Sequence, residues 1–90
     1  MIQTFEQVIG GQTMQFCASI AEGGGPPRVI ISQAESAKSL VIVEVGGIIG
    51  AIKAEVEAPD SFVADAVRHA QQEALIERAL ETGTVQTTKL

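Results

Sequence analysis

Residues 5–20, FEQVIGGQTMQFCASI, carry the Gly10-Gly11 pair, which is followed by a stretch in which polar and apolar side chains alternate. A glycine pair supplies the positive φ angles that a two-residue hairpin turn requires. Such a turn sets Phe5 opposite Phe16. From Met14 onward every second residue is apolar, which is typical of a strand with one buried face. The stretch therefore predicts a β-hairpin.

A second glycine pair, Gly46-Gly47, is also flanked by β-branched residues and predicts a second hairpin. A two-residue turn there makes one face of the hairpin aliphatic, which favours this register. The predicted pairs are Val45 with Ile48, Val43 with Gly50 and Val41 with Ile52. Residues 47–58 also fit the apolar spacing of a short helix, so strand and helix both stay open for this segment.

The remaining sheet residues are predicted from composition. Residues 28–32 and 39–45 are apolar enough for interior strands, and the polar residues 33–38 link them. The Gly- and Pro-rich residues 23–27 indicate a loop or a flexible joint. The polar tail, residues 84–90, is either disordered or a short edge strand.

A helix is predicted over residues 60–82, where Pro59 is a start signal and Gly83 a stop signal. Its apolar side chains form two stripes on roughly opposite faces. The first consists of Phe62, Val63, Ala66, Val67, Ala70 and Ala74, and the second of Leu75, Ile76, Ala79 and Leu80. One sheet covers one stripe, so either the helix breaks near Glu73 or its second half packs on another subunit. We favour the second alternative.

These elements predict an α+β fold in one domain, residues 1–90. Its mostly antiparallel meander sheet has about five strands, with one long C-terminal helix packed on it. The chain is 46% hydrophobic, but Phe5, Phe16 and Phe62 are its only aromatic residues. Because a small aliphatic core is marginally stable, we expect the chain to form a homo-oligomer. The expected interface is the second helix stripe: Leu75, Ile76, Ala79 and Leu80.

Cys17 and His69 are the only cysteine and the only histidine, so they form the one Cys-His pair that the chain could use for nucleophilic catalysis. Nothing in the sequence brings them together. Asp65 and Glu73 lie four residues before and after His69, on one helical face. A metal site there would have too few ligands, and solvated surface charges explain the same spacing. We therefore expect no catalytic, cofactor-binding or metal-binding residues.

The net charge of −5 and the scattered basic residues argue against a nucleic-acid partner. The longest apolar run contains Glu44 and is too short to span a bilayer, so no membrane partner is expected. A lone cysteine and the lack of a signal-peptide pattern favour the reducing cytoplasm.

Residues 43–54, VEVGGIIGAIKA, resemble the strand-turn-helix of bacterial microcompartment shell domains. Residues 2–5 with Gly11-Gln12 are faintly similar to the opening of the permuted forms of those domains. The resemblance covers about a third of the chain and requires residues 47–58 to be helical. It implies a structural, shell-like subunit, and no functional residue is carried over from it.

Taken together, the sequence favours a small, acidic, non-catalytic cytoplasmic domain that assembles with itself or binds another protein. Two alternatives stay open. One is a small enzyme whose active site is built at a subunit interface, and the other is the shell-like subunit.

Overall fold

The structure, a computed structural model, describes residues 2–21, 27–36, 38–44 and 59–90. The described residues form a five-stranded sheet and two helices. In chain order these are β1 (Ile2–Ile9), β2 (Gln12–Ala21), β3 (Arg28–Gln33), β4 (Ser39–Glu44), α1 (Pro59–Gln72), α2 (Leu75–Thr82) and β5 (Gln86–Lys89). The strands lie side by side in the order β1-β2-β3-β4-β5. The predicted α+β class with a mostly antiparallel meander sheet is confirmed, with two helices in place of one.

The hairpin β1-β2 has the predicted turn and register. Gly10 and Gly11 have φ angles of 58° and 81°, so both occupy the region that favours glycine. Phe5 lies opposite Phe16, and their rings stack with centroids 5.5 Å apart. The Gly10-Gly11 turn therefore fixes which side chains of β1 face the core.

The partner predicted for β4 is wrong. Val41 pairs with Ile31 of β3 on one side and with Gln86 of β5 on the other. Both edges of β4 are thus occupied by β3 and β5, so the neighbour predicted for Val41 and Val43 in a second hairpin is replaced by β5. The Gly46-Gly47 turn, the strand or helix at 47–58 and most of the Gly- and Pro-rich joint lie outside the described residues.

The fifth strand comes instead from the C-terminal tail, which confirms the edge-strand alternative for residues 84–90. Strand β5 runs parallel to β4, and the Leu90 N–H donates to the Glu44 carbonyl over 2.8 Å. A parallel neighbour requires a crossover connection. Both helices belong to that connection, and they cover one face of the sheet, called the helix face below.

The predicted single helix is broken at Ala74, which has φ 54° and ψ 35°. This left-handed residue separates α1 from α2, so the break near Glu73 is the alternative that occurs. Gly83 ends α2 as predicted, with φ 72° and its N–H donating to the Ala79 carbonyl over 2.9 Å.

The second apolar stripe consequently faces the chain's own core. Leu75 is 6%, Ile76 0% and Ala79 2% exposed, and Leu80 packs on the same core. The argument that these four residues need another subunit to cover them is therefore wrong. The homo-oligomer itself stays a prediction. The sheet contributes Phe16, Ala18, Val29, Ile31, Leu40, Val41 and Val43 to the core, and α1 contributes Phe62, Val63, Ala66 and Ala70.

Replacing Ala74 with Gly should raise the free energy of unfolding by about 1 kcal/mol, because an L-residue with a side chain is strained in the left-handed region. Urea unfolding followed by circular dichroism measures the change. The matched control is Ala64→Gly, within α1, which should lower the free energy of unfolding by about 1 kcal/mol. Equal losses in both variants would contradict the break at Ala74.

Ile76→Ala should destabilise the fold by about 2–5 kcal/mol, since it leaves a cavity in the core. Leu90→Ala removes the same number of carbon atoms from a side chain that is 49% exposed and should change the free energy of unfolding by less than about 0.5 kcal/mol. Both are measured by urea unfolding. A small loss at Ile76 would show that this side chain is not in the core.

Candidate functional site

Strand β1 is the longest described strand edge without a neighbour. It has eight residues, and none of them is buried. Its side chains alternate between half-buried ones on the helix face and exposed ones on the opposite face, which we call the outer face. The half-buried set is Gln3, Phe5, Gln7 and Ile9, and the exposed set is Ile2, Thr4, Glu6 and Val8.

The backbone groups of β1 alternate in the same way. Ile9 and Gln12 flank the two-residue turn, so their N–H and C=O groups bond to each other. Every second residue back along β1 then also points its backbone groups toward β2. The other four residues of β1 carry the exposed side chains, and their N–H and C=O groups point away from β2, toward the free edge. They are Ile2, Thr4, Glu6 and Val8.

Contacts on the helix face hold β1 in place. The Gln7 side chain donates to the Glu77 carboxylate of α2, and it accepts a hydrogen bond from Gln71 of α1 over 3.3 Å. Phe5 stacks on Phe16. The strand is therefore fixed by its side chains on one face, while its outer edge stays accessible.

The exposed face of β1 is unusually apolar for an edge strand. Ile2 is 70% and Val8 66% exposed. Edge strands that avoid pairing are short or carry charges, and Glu6 is the one charged residue of β1. The opposite edge differs, because β5 has four polar residues and includes Lys89. Of the two described edges, β1 is the one suited to bind another strand.

The structure separates the two residues of the possible Cys-His pair. Cys17 lies between the buried Phe16 and Ala18 of β2, so its side chain is on the outer face. His69 of α1 lies on the helix face, where its Nε2 is 3.2 Å from the Thr88 hydroxyl of β5. The sheet stands between them, and the pair does not form within one chain.

The two carboxylates that lie four residues before and after His69 are both exposed to solvent. Asp65 pairs with Arg68 over 3.0 Å on the surface, and Glu73 lies beyond the end of α1 and is exposed. In the part of the chain that the structure describes, no group of three His, Cys, Asp or Glu side chains is placed to hold a metal ion. His69 instead ties α1 to the last strand, a contact that the helical spacing did not reveal.

A row of charges crosses the outer face at one end of the sheet. Glu44 of β4 lies opposite Arg28 of β3 and opposite Lys89 of β5. Opposite charges on adjacent strands stabilise their pairing by a few tenths of a kcal/mol to about 1 kcal/mol. This register places opposite charges side by side, and it depends on strand neighbours that lie far apart in the sequence.

A depression near the turn of the hairpin is lined mainly by polar side chains: Gln12, Thr13, Met14, Gln15, Gln33 and Glu35. These offer hydrogen bonds and one carboxylate. None of them is a cysteine, histidine or lysine, so the depression carries no strong nucleophile. It does not change the choice of β1 as the candidate site.

Comparisons with protein-family models, with curated proteins and with solved structures found no significant match. The resemblance of residues 43–54 to microcompartment shell domains therefore stays a prediction, and all but the first two of those residues lie outside the described ranges. None of the described helices is long and apolar enough to cross a membrane.

Thr88→Val should lower the free energy of unfolding by about 0.5–1.5 kcal/mol, because it removes the hydroxyl that bonds His69. The control is Thr87→Val on the same strand, whose exposed side chain points to the outer face. Urea unfolding of both variants tests the contact. Equal effects would mean that the His69 bond does not stabilise the fold.

Proposed function

We propose that this chain is a non-catalytic, homo-oligomerising domain that assembles through the free edge of β1. The observation that supports the proposal is the exposure of this edge: eight strand residues, none buried, with Ile2 and Val8 in solvent. The proposal keeps the self-association expected from the aliphatic composition and moves its interface from α2 to β1.

Strand addition is a common mode of protein binding. An incoming strand satisfies the free N–H and C=O groups of the edge, and its alternate side chains pack on those of the strand that it joins. Here Ile2 and Val8 would lose water from their exposed surface, which contributes roughly 25 cal/mol for each Å² buried. Because β1 is already held by Phe5 and Gln7, little backbone ordering opposes the pairing.

A second copy of the chain is the partner that we favour, because it brings an edge of the same length. A strand of a different protein could bind the same N–H and C=O groups of β1. A measurement of the mass of the assembly would detect that second outcome. The single cysteine, Cys17, is half-buried and free, which suits the reducing cytoplasm that we propose as the location.

Val8→Lys should shift the protein from oligomer to monomer, because it places a charge at the free edge and removes an exposed apolar side chain. Light scattering over a range of protein concentrations measures the mass. Thr13→Lys is the matched control: Thr13 lies opposite Val8, is also exposed on the outer face, and belongs to β2 rather than to the edge.

The control should keep the wild-type mass, and circular dichroism should show that both variants are folded. A wild-type protein that is monomeric at all concentrations, or equal masses for Val8→Lys and wild type, would contradict assembly through β1.

A further inference from the structure

We infer that two copies of the chain pair their β1 strands in antiparallel orientation about a two-fold axis that passes between their two Phe5 residues. The inference rests on the proposed function and deepens it, because it fixes the register of the interface. It joins two five-stranded sheets into one continuous sheet, with the helices of both copies on the same face.

Symmetry limits the registers that two copies can use. In an antiparallel pair, residues directly opposite each other point to the same face. Two identical strands related by a two-fold axis must therefore be centred on one residue. That residue lies opposite the same residue of the second copy. On the eight residues of β1, centres at Phe5 and Glu6 pair the most residues. Centres at Thr4 and Gln7 pair fewer, in equal number, and centres nearer the strand ends pair fewer still.

The side chains of β1 distinguish these four centres. A centre at Glu6 puts the two Glu6 carboxylates directly opposite each other, which is destabilising. A centre at Thr4 sets the exposed Ile2 against Glu6 and leaves Val8 unpaired, and a centre at Gln7 sets Val8 against Glu6 and leaves Ile2 unpaired. A centre at Phe5 avoids both problems and pairs residues 2–8 of each copy.

In the Phe5-centred register the exposed apolar residues cover each other. Ile2 of one copy lies opposite Val8 of the second, at both ends of the interface. Between them Glu6 lies opposite Thr4, a neutral side chain with a hydroxyl. The interface is thus apolar at both ends, and each Glu6 faces an uncharged side chain. The register therefore places no like charges opposite each other, although each chain carries a net charge of −5.

The backbone groups of β1 are compatible with this centre. The exposed residues of β1 are the ones whose N–H and C=O groups point at the free edge, so Ile2-Val8 and Thr4-Glu6 are hydrogen-bonded pairs. The central Phe5 pair is then a non-hydrogen-bonded pair, in which the two strands approach to about 4.5 Å between Cα atoms. Phe5 already stacks on Phe16, so the pairing would extend this stack across the two-fold axis.

Disulfide cross-linking tests the register. Hydrogen-bonded antiparallel pairs have Cα atoms about 5.5 Å apart, a separation that a disulfide spans. Cys17→Ser is used as the background, because Cys17 lies opposite Thr4 within one chain and would compete. Two variants are made in this background, one with Thr4→Cys and the other with Glu6→Cys. The two variants are oxidised separately, and as a mixture after unfolding and refolding together.

We expect a mixed disulfide dimer in the refolded mixture, identified by its mass, and little dimer from either variant alone. A matched control uses Thr13→Cys with Gln15→Cys, which have the same spacing on the outer face of β2 and should give no mixed dimer. Light scattering of the background protein reports assembly independently.

The outcomes separate the two proposals. A disulfide dimer of the Thr4→Cys variant alone would indicate a Thr4 centre. A disulfide dimer of the Glu6→Cys variant alone would indicate a Glu6 centre. Either result overturns the register and keeps assembly through β1. A dimer by light scattering without any cross-link places the interface elsewhere, and a monomer overturns both the register and the proposed function.

Discussion

The two positive φ angles at Gly10 and Gly11 are the constraint on which the arrangement of β1 depends. They make the hairpin turn two residues long, and a two-residue turn fixes a single register between β1 and β2. A slip by one residue would turn Phe5 to the outer face and remove it from Phe16. It would also reverse which backbone groups face the edge. One local turn thus decides which side chains of β1 lie on the helix face and which of its backbone groups point away from β2.

Features encoded by neighbouring residues were predicted from the sequence. Turn chemistry located the β1-β2 hairpin with the correct pairing of Phe5 and Phe16, and an alternation of period two located β2. The apolar runs in 28–32 and 39–45 predicted interior strands, and Gly83 predicted the end of the second helix. In each case the signal lies within a few residues of the element that it specifies, so no knowledge of distant contacts was needed.

Features that depend on distant contacts were predicted only as one of two alternatives, or not at all. Ala74 has high helix propensity, and nothing beside it signals a left-handed residue, so the second stripe was assigned to a partner instead of the core. The tail strand has the polar sequence QTTK, which gives no periodic apolar signal, and β4 was therefore paired with the wrong segment. The candidate site was missed for the same reason, because the position of β1 at the edge depends on the order of all five strands.

The two edges of the sheet differ in length and charge, and this difference limits how many further strands the sheet can add. Strand β5 is half as long as β1 and ends in Lys89, which carries a positive charge next to the exposed backbone. A joined pair of sheets would present a short, charged strand at each end, and edges of that kind resist further addition. If assembly uses β1, the short and charged β5 at the other edge would disfavour fibrous aggregation of an otherwise aliphatic chain.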